Sequence, residues 1–114
     1  MSRFDEKMIQ YSEEMERLNI PLEKDLLSKI TKGLGPSIYK TDAECVSSSD
    51  TKELETVKQN FLIKKLLLKD GERLDNAISH AITTMGKSNR NKYRAIFYYL
   101  LVKQLKQEYK FQQN

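Results

Sequence analysis

The chain has 114 residues, 39% of them hydrophobic and 32% charged, with a formal net charge of +4. That size and balance suit one globular domain over residues 1–114 and exclude a disordered chain. A single cysteine, Cys45, and a single histidine, His80, exclude an internal disulfide, a cysteine metal cluster and a site of paired imidazoles, so no metal or cofactor is expected.

Taken in order, the first apolar residues are Phe4, Met8, Tyr11, Met15 and Leu18. Spacings of four and three place them on one stripe of a helix. Ser2 stands at its N-cap and Asp5 in its first turn, where a negative charge suits the helix dipole. The same stretch is too charged to hold the apolar core of a secretory signal. Asn19, Ile20 and Pro21 break the chain. A second helix is expected from about Leu22 to Lys32, with Leu22, Leu26, Leu27 and Ile30 inward. Gly33 and Gly35 are its candidate left-handed caps, and Pro36 prevents continuation. Two glycines this close also suggest a phosphate cradle, but such a loop precedes a helix and this one follows one.

Residues 37–49 form the least regular stretch, with Ile38 and Val46 expected to pin it to the core. Cys45 lies beside Asp42 and Glu44, which raise a thiol's pKa and disfavour thiolate chemistry. Asp50 with Glu53 three residues on resembles a capping box. The third helix that follows buries Leu54, Val57 and Phe61. Its register fails at Lys64 and Lys65, where an end or kink is expected, with Leu66, Leu67 and Leu68 entering the core. Asp70 then caps a fourth helix that buries Leu74, Ile78, Ala81, Ile82 and Met85 and stops at Gly86. His80 falls well off that buried side and is expected in solvent. No stretch alternates apolar and polar residues long enough to make a strand.

The last helix is expected to run from about Ser88 to Tyr109. Its middle, Ala95 to Val102, is apolar all round, so it must be buried on most sides. An apolar run this short is far below the roughly 20 residues of a membrane span. The expected fold is therefore all-α: a compact bundle of four main helices plus a short irregular insert, packed around a central C-terminal helix. A cytoplasmic protein that does not enter membranes is the matching expectation.

Three faces separate on this last helix. Tyr93, Phe97, Leu100 and Leu101, with Ile96 at the edge, form the main core stripe. Tyr98, Val102, Leu105 and Tyr109 form a second stripe, covered by another layer of core or left open as a docking surface for a partner protein or a second copy. The third face carries Lys92, Tyr99, Lys103, Lys106 and Lys110. A lysine row with an interleaved aromatic suits a phosphate backbone, the ring stacking on a base. Just upstream, Lys87, Arg90 and Arg94 lie near a helix N-terminus, so an anion held between the Gly86–Ser88 turn and Arg90 is a further possibility.

Charge sharpens that alternative. Residues 1–57 hold 8 Lys/Arg against 12 Asp/Glu, whereas residues 58–114 hold 12 against 4. Halves of opposite sign can attract each other or leave a basic face for an acidic partner, although a mixture of solvated faces is the ordinary outcome. Gly86-Lys87-Ser88 fails as a phosphate-binding loop, because Ala81 stands where its first glycine is required. A helix-turn-helix is poorly matched too, since a recognition helix exposes polar residues and this one is apolar through its middle. Catalysis finds no pair of groups in distinct environments, so an enzyme is not expected.

Three segments carry a resemblance: Lys32-Gly33-Leu34-Gly35-Pro36-Ser37-Ile38-Tyr39, Asn60-Phe61-Leu62-Ile63-Lys64-Lys65-Leu66, and Met85-Gly86-Lys87-Ser88-Asn89-Arg90-Asn91-Lys92-Tyr93-Arg94 running into Phe97-Tyr98-Tyr99-Leu100-Leu101. Together they resemble a family of short bacterial proteins catalogued as a domain of unknown function. The resemblance covers nearly the whole chain and implies a bacterial, intracellular, single-domain protein. It brings no functional residue with it.

The reading that follows is a small cytosolic helical binding module. Its leading form is protein–protein interaction or self-association, including a homodimer, through Tyr98, Val102, Leu105 and Tyr109. The alternative is anion or nucleic-acid binding through Lys87, Arg90, Lys92, Arg94, Lys103 and Lys106.

Overall fold

In the computed structural model, which describes residues 2–112, the chain opens with α1 (Arg3–Arg17). Ser2 Oγ accepts the Asp5 amide at 3.0 Å, satisfying one of the free N–H groups of the first turn. Met8, Tyr11 and Met15 are buried, with Phe4 and Leu18 half-buried at the two ends of the stripe. The helix stops as the spacing predicts. Asn19 takes a left-handed φ of 59°, and the Ile20 amide reaches back to Met15 O at 2.9 Å.

The second helix, α2 (Lys24–Leu34), buries Leu26, Leu27 and Ile30. Leu22, expected inward, is instead 43% exposed. It precedes the helix, so it does not continue the helical stripe. Gly33 lies within α2, and Gly35, at φ 64°, is the glycine that ends it. A 3-10 turn over Gly35–Tyr39 follows, and both Ile38 and Val46 are buried as anchors of the irregular stretch.

At α3 (Thr51–Thr56), Asp50 accepts the Lys52 and Glu53 amides. Glu53 does not return to the cap but forms an ion pair with Arg94. The helix then widens into a π-helix over Val57–Lys65. The extra residue per turn resolves the register failure seen in the sequence: Val57, Phe61 and Leu62 go inward while Lys64 and Lys65 stay outside. Leu67 takes φ 62° at the stop, with the Leu68 amide bonded back to Leu62 O at 3.1 Å. Leu66 is buried, Leu68 is half-buried, and Leu67 points out, 80% exposed, contrary to the expectation that all three enter the core.

Asp70 does not cap α4 (Glu72–Met85). With Asp75 it binds Lys58 Nζ, at 2.8 and 3.0 Å, and Gly71 occupies the cap position. Leu74, Ala77, Ile78, Ala81 and Met85 are buried, Ile82 is half-buried, and His80 is exposed. Gly86, at φ 92°, ends the helix.

The last helix, α5 (Arg94–Gln104), has 11 residues, about half the expected length. Local polar groups end it on both sides. Upstream, Asn89 Oδ1 accepts the Asn91 amide at 2.8 Å, and Lys92 Nζ donates to the Lys87 and Asn89 carbonyls, which holds 87–92 as a turn. Downstream, Lys106 takes φ 58° and the Gln107 amide returns to Val102 O at 2.9 Å. A 3-10 turn over Glu108–Phe111 follows.

Within α5, Ala95 to Tyr99, Leu101 and Val102 are all buried, and the helix packs against α1, α2 and α4. Phe61 of the π-helix stacks on Tyr98 at 4.1 Å between ring centres. Tyr99 donates to Pro21 O at 2.7 Å and accepts the Glu23 amide at 3.0 Å, tying the α1–α2 link to the core. The fold is all-helical, with five α-helices and no strand among the described residues. An isolated antiparallel bridge joins Cys45 and Tyr93.

Candidate functional site: an acidic apolar groove between α1 and α2

The stripe expected to dock a partner is core. Tyr98 is 8% exposed, Val102 0% and Leu105 1%; Tyr109 alone stands in solvent at 61%. Phe61 stacks on Tyr98, α1, α2 and α4 pack around α5, and the stripe is interrupted because α5 ends before Tyr109. Tyr98, Val102 and Leu105 therefore hold the domain together and offer no open surface.

The six basic residues of the alternative also part company. Lys92 is 3% exposed and bonded to backbone carbonyls. Arg94 is spent on the Ala43 and Cys45 carbonyls, the Tyr98 hydroxyl and Glu53. Lys103 pairs with Glu23 and Glu108. Lys87, Arg90 and Lys106 are exposed and carry no ion pair among the described residues. Tyr99, expected to stack on a base, is buried. The continuous basic track along α5 therefore does not form.

Open apolar surface lies elsewhere. Ile9 is 46% exposed and Leu22 43%, and both line a groove of about 760 Å³ between α1, α2 and their link. Phe4, Met8 and Ile20 add apolar lining, while Asp5, Glu13, Glu16 and Asp25 bring four carboxylates against one lysine, Lys24. Each feature has a local cause. Ile9 sits one residue past Met8, about 100° around α1 from the buried stripe. Leu22 sits in the non-helical link that Pro21 enforces. The signal in the sequence was an isoleucine off the stripe and a leucine in a break, neither of which a periodicity count collects.

Glu14 and Cys45 lie outside the groove lining. Glu14, on the flank of α1, accepts two bonds from Arg17, at 2.8 and 2.7 Å, and one from Asn89 at 3.0 Å. The Arg17 bonds, with help from Asn89, hold its carboxyl below the ordinary value of 4.5. A depressed native pKa stabilises the fold above the ordinary value, and that contribution disappears as pH falls through the native value. Glu14→Gln is expected to cost about 1 kcal/mol at pH 7. Denaturant titrations from pH 7 down to about 3 should show its deficit closing below 4.5. Cys45 is half-buried, and burial first, then Glu44, raises its thiol pKa, which disfavours a nucleophilic role.

No helix among the described residues is long and apolar enough to cross a membrane. No curated protein matches the chain. The model of the family described as "Protein of unknown function (DUF2853)" matches residues 10–109, a span that holds all three resembling segments and every helix from α2 to α5, and the chain belongs to that family.

Proposed function

We propose that the protein is a non-catalytic docking module of the cytoplasm, a set of helices wrapped on α5 whose α1–α2 groove receives a basic amphipathic helix of a partner protein. One observation carries this: two large apolar side chains, Ile9 and Leu22, stay open in a groove lined by four carboxylates and one lysine. Apolar lining favours the leucine face of a helix, and lining carboxylates favour lysine or arginine on its flanks. Self-association through this groove, with the chain's own basic half as occupant, is the variant that a mass measurement separates. Anion binding by the basic half keeps support at one place, beside Lys87 and Arg90.

The test is fluorescence anisotropy with two labelled synthetic helices, one of leucines at i, i+3, i+4 and i+7 with lysines elsewhere, the other with glutamates in place of the lysines. Saturable binding is expected for the lysine helix only, weakening with added salt. Each side chain is already about half buried, so completing its burial contributes about 1 kcal/mol, and Ile9→Ser and Leu22→Ser should each weaken binding roughly three- to tenfold. Both side chains are partly exposed, so the fold should tolerate the changes. Equal binding of the two helices, or affinity indifferent to both substitutions, would sink the proposal. A dimer that forms with rising concentration and is lost in Ile9→Ser would replace the partner helix with a second copy.

A further inference from the structure

A second concavity, of about 500 Å³, lies where the 45–49 loop meets the 87–92 turn and shares no lining residue with the α1–α2 groove. Its two walls are pinned together. The Val46 amide donates to Lys92 O at 2.8 Å, the Arg94 amide to Glu44 O at 2.7 Å, and the Arg94 guanidinium to Ala43 O at 2.8 Å. A cleft so braced needs little ordering when a ligand enters.

The lining is cationic and rich in donors. Ser47, Ser48 and Ser49 come from one wall; Lys87, Arg90 and Lys92 come from the other; among the described residues no carboxylate lines it. Lys92 is the telling residue. It is 3% exposed, yet it has no carboxylate partner among the described residues. Two of its three N–H donors go to the Lys87 and Asn89 carbonyls, which leaves one unused. A buried ammonium without a counter-charge is costly. Consistent with that, burial pushes the Lys92 pKa down. Glu14, the carboxylate bonded to this turn through Asn89, is engaged by Arg17.

We infer that this cleft binds a phosphate monoester, held by Lys87, Arg90 and Lys92 with the serine hydroxyls of the 47–49 loop. Three cations suit a doubly charged group better than a carboxylate. A guanidinium fork, ammonium N–H groups and hydroxyls together supply donors to several oxygens of a tetrahedral anion. A phosphate monoester loses its second proton near pH 6 and is dianionic at neutral pH.

The experiment is a titration of the isotopically labelled full chain with O-phosphoserine, inorganic phosphate and acetate at constant ionic strength, followed by amide chemical shifts. Saturable shifts are expected at Ser47–Ser49 and Lys87–Lys92, with both phosphates binding about tenfold or more tighter than acetate. The double variant Lys87→Ala, Arg90→Ala should weaken phosphoserine binding by about tenfold or more, with the remaining amide spectrum unchanged, since neither side chain carries an ion pair among the described residues. Acetate binding as tightly as the phosphates, no saturable shift at these residues, or binding indifferent to the double variant would each overturn the assignment. Tighter binding of a short single-stranded oligonucleotide lacking a terminal phosphate would overturn it in favour of nucleic acid.

Discussion

Phe97→Ala is expected to lower the free energy of unfolding by about 3–5 kcal/mol, measured by urea denaturation followed by far-ultraviolet circular dichroism. The ring is fully buried in α5, within the core cluster of the domain, so the cavity it leaves has little room to close. Small domains hold only about 5–15 kcal/mol in total, so this one change puts the fold near its limit. Tyr109→Ala, at a position 61% exposed, should cost under about 0.5 kcal/mol and serves as the paired control. Similar losses for the two would mean that α5 is not the centre of the domain.

Arg94→Met should be nearly as damaging, at about 3 kcal/mol, for a different reason. The methionine keeps most of the buried stem but removes the guanidinium that serves Glu53, Tyr98 and the Ala43 and Cys45 carbonyls. Those groups belong to the irregular 40–50 stretch, the start of α3 and the body of α5, so one side chain bonds to three segments at once. Hydrogen exchange should show loss of protection at Val46 and Arg94, whose amides bond across that junction. The double variant with Glu53→Gln should lose less than the two single losses combined, because both remove the same ion pair.

What the sequence could show follows from how locally each feature is determined. The α1 stripe was legible because Phe4, Met8, Tyr11, Met15 and Leu18 obey helical spacing and Ser2 caps the first turn through a neighbour three residues away. The failing register at Lys64 and Lys65 was legible as well, but its resolution as a π-helix was not, since that depends on Phe61 finding Tyr98. The length of α5 was overestimated because Lys92 and Asn89 compete for backbone groups in a way that composition does not reveal.

The covering of the second α5 stripe was not legible for a related reason. Tyr98, Val102 and Leu105 were visible as a stripe, but whether a stripe is covered is decided by residues distant in sequence. Ile9 and Leu22 become neighbours in a groove only once α1 and α2 are in place, and each alone reads as an ordinary surface apolar residue. Lys92 looked like one of a solvated lysine row. Its burial depends on the carbonyls that the 87–92 turn presents to it.

The docking account is tested most directly by methyl-resolved NMR of the intact protein titrated with the lysine-bearing amphipathic helix. Methyl shifts concentrated at Met8, Ile9, Ile20 and Leu22, with Leu101 and Val102 of α5 unmoved, are the predicted result. Shifts centred on Leu67, the most exposed large apolar side chain among the described residues, or none along the groove, would contradict it.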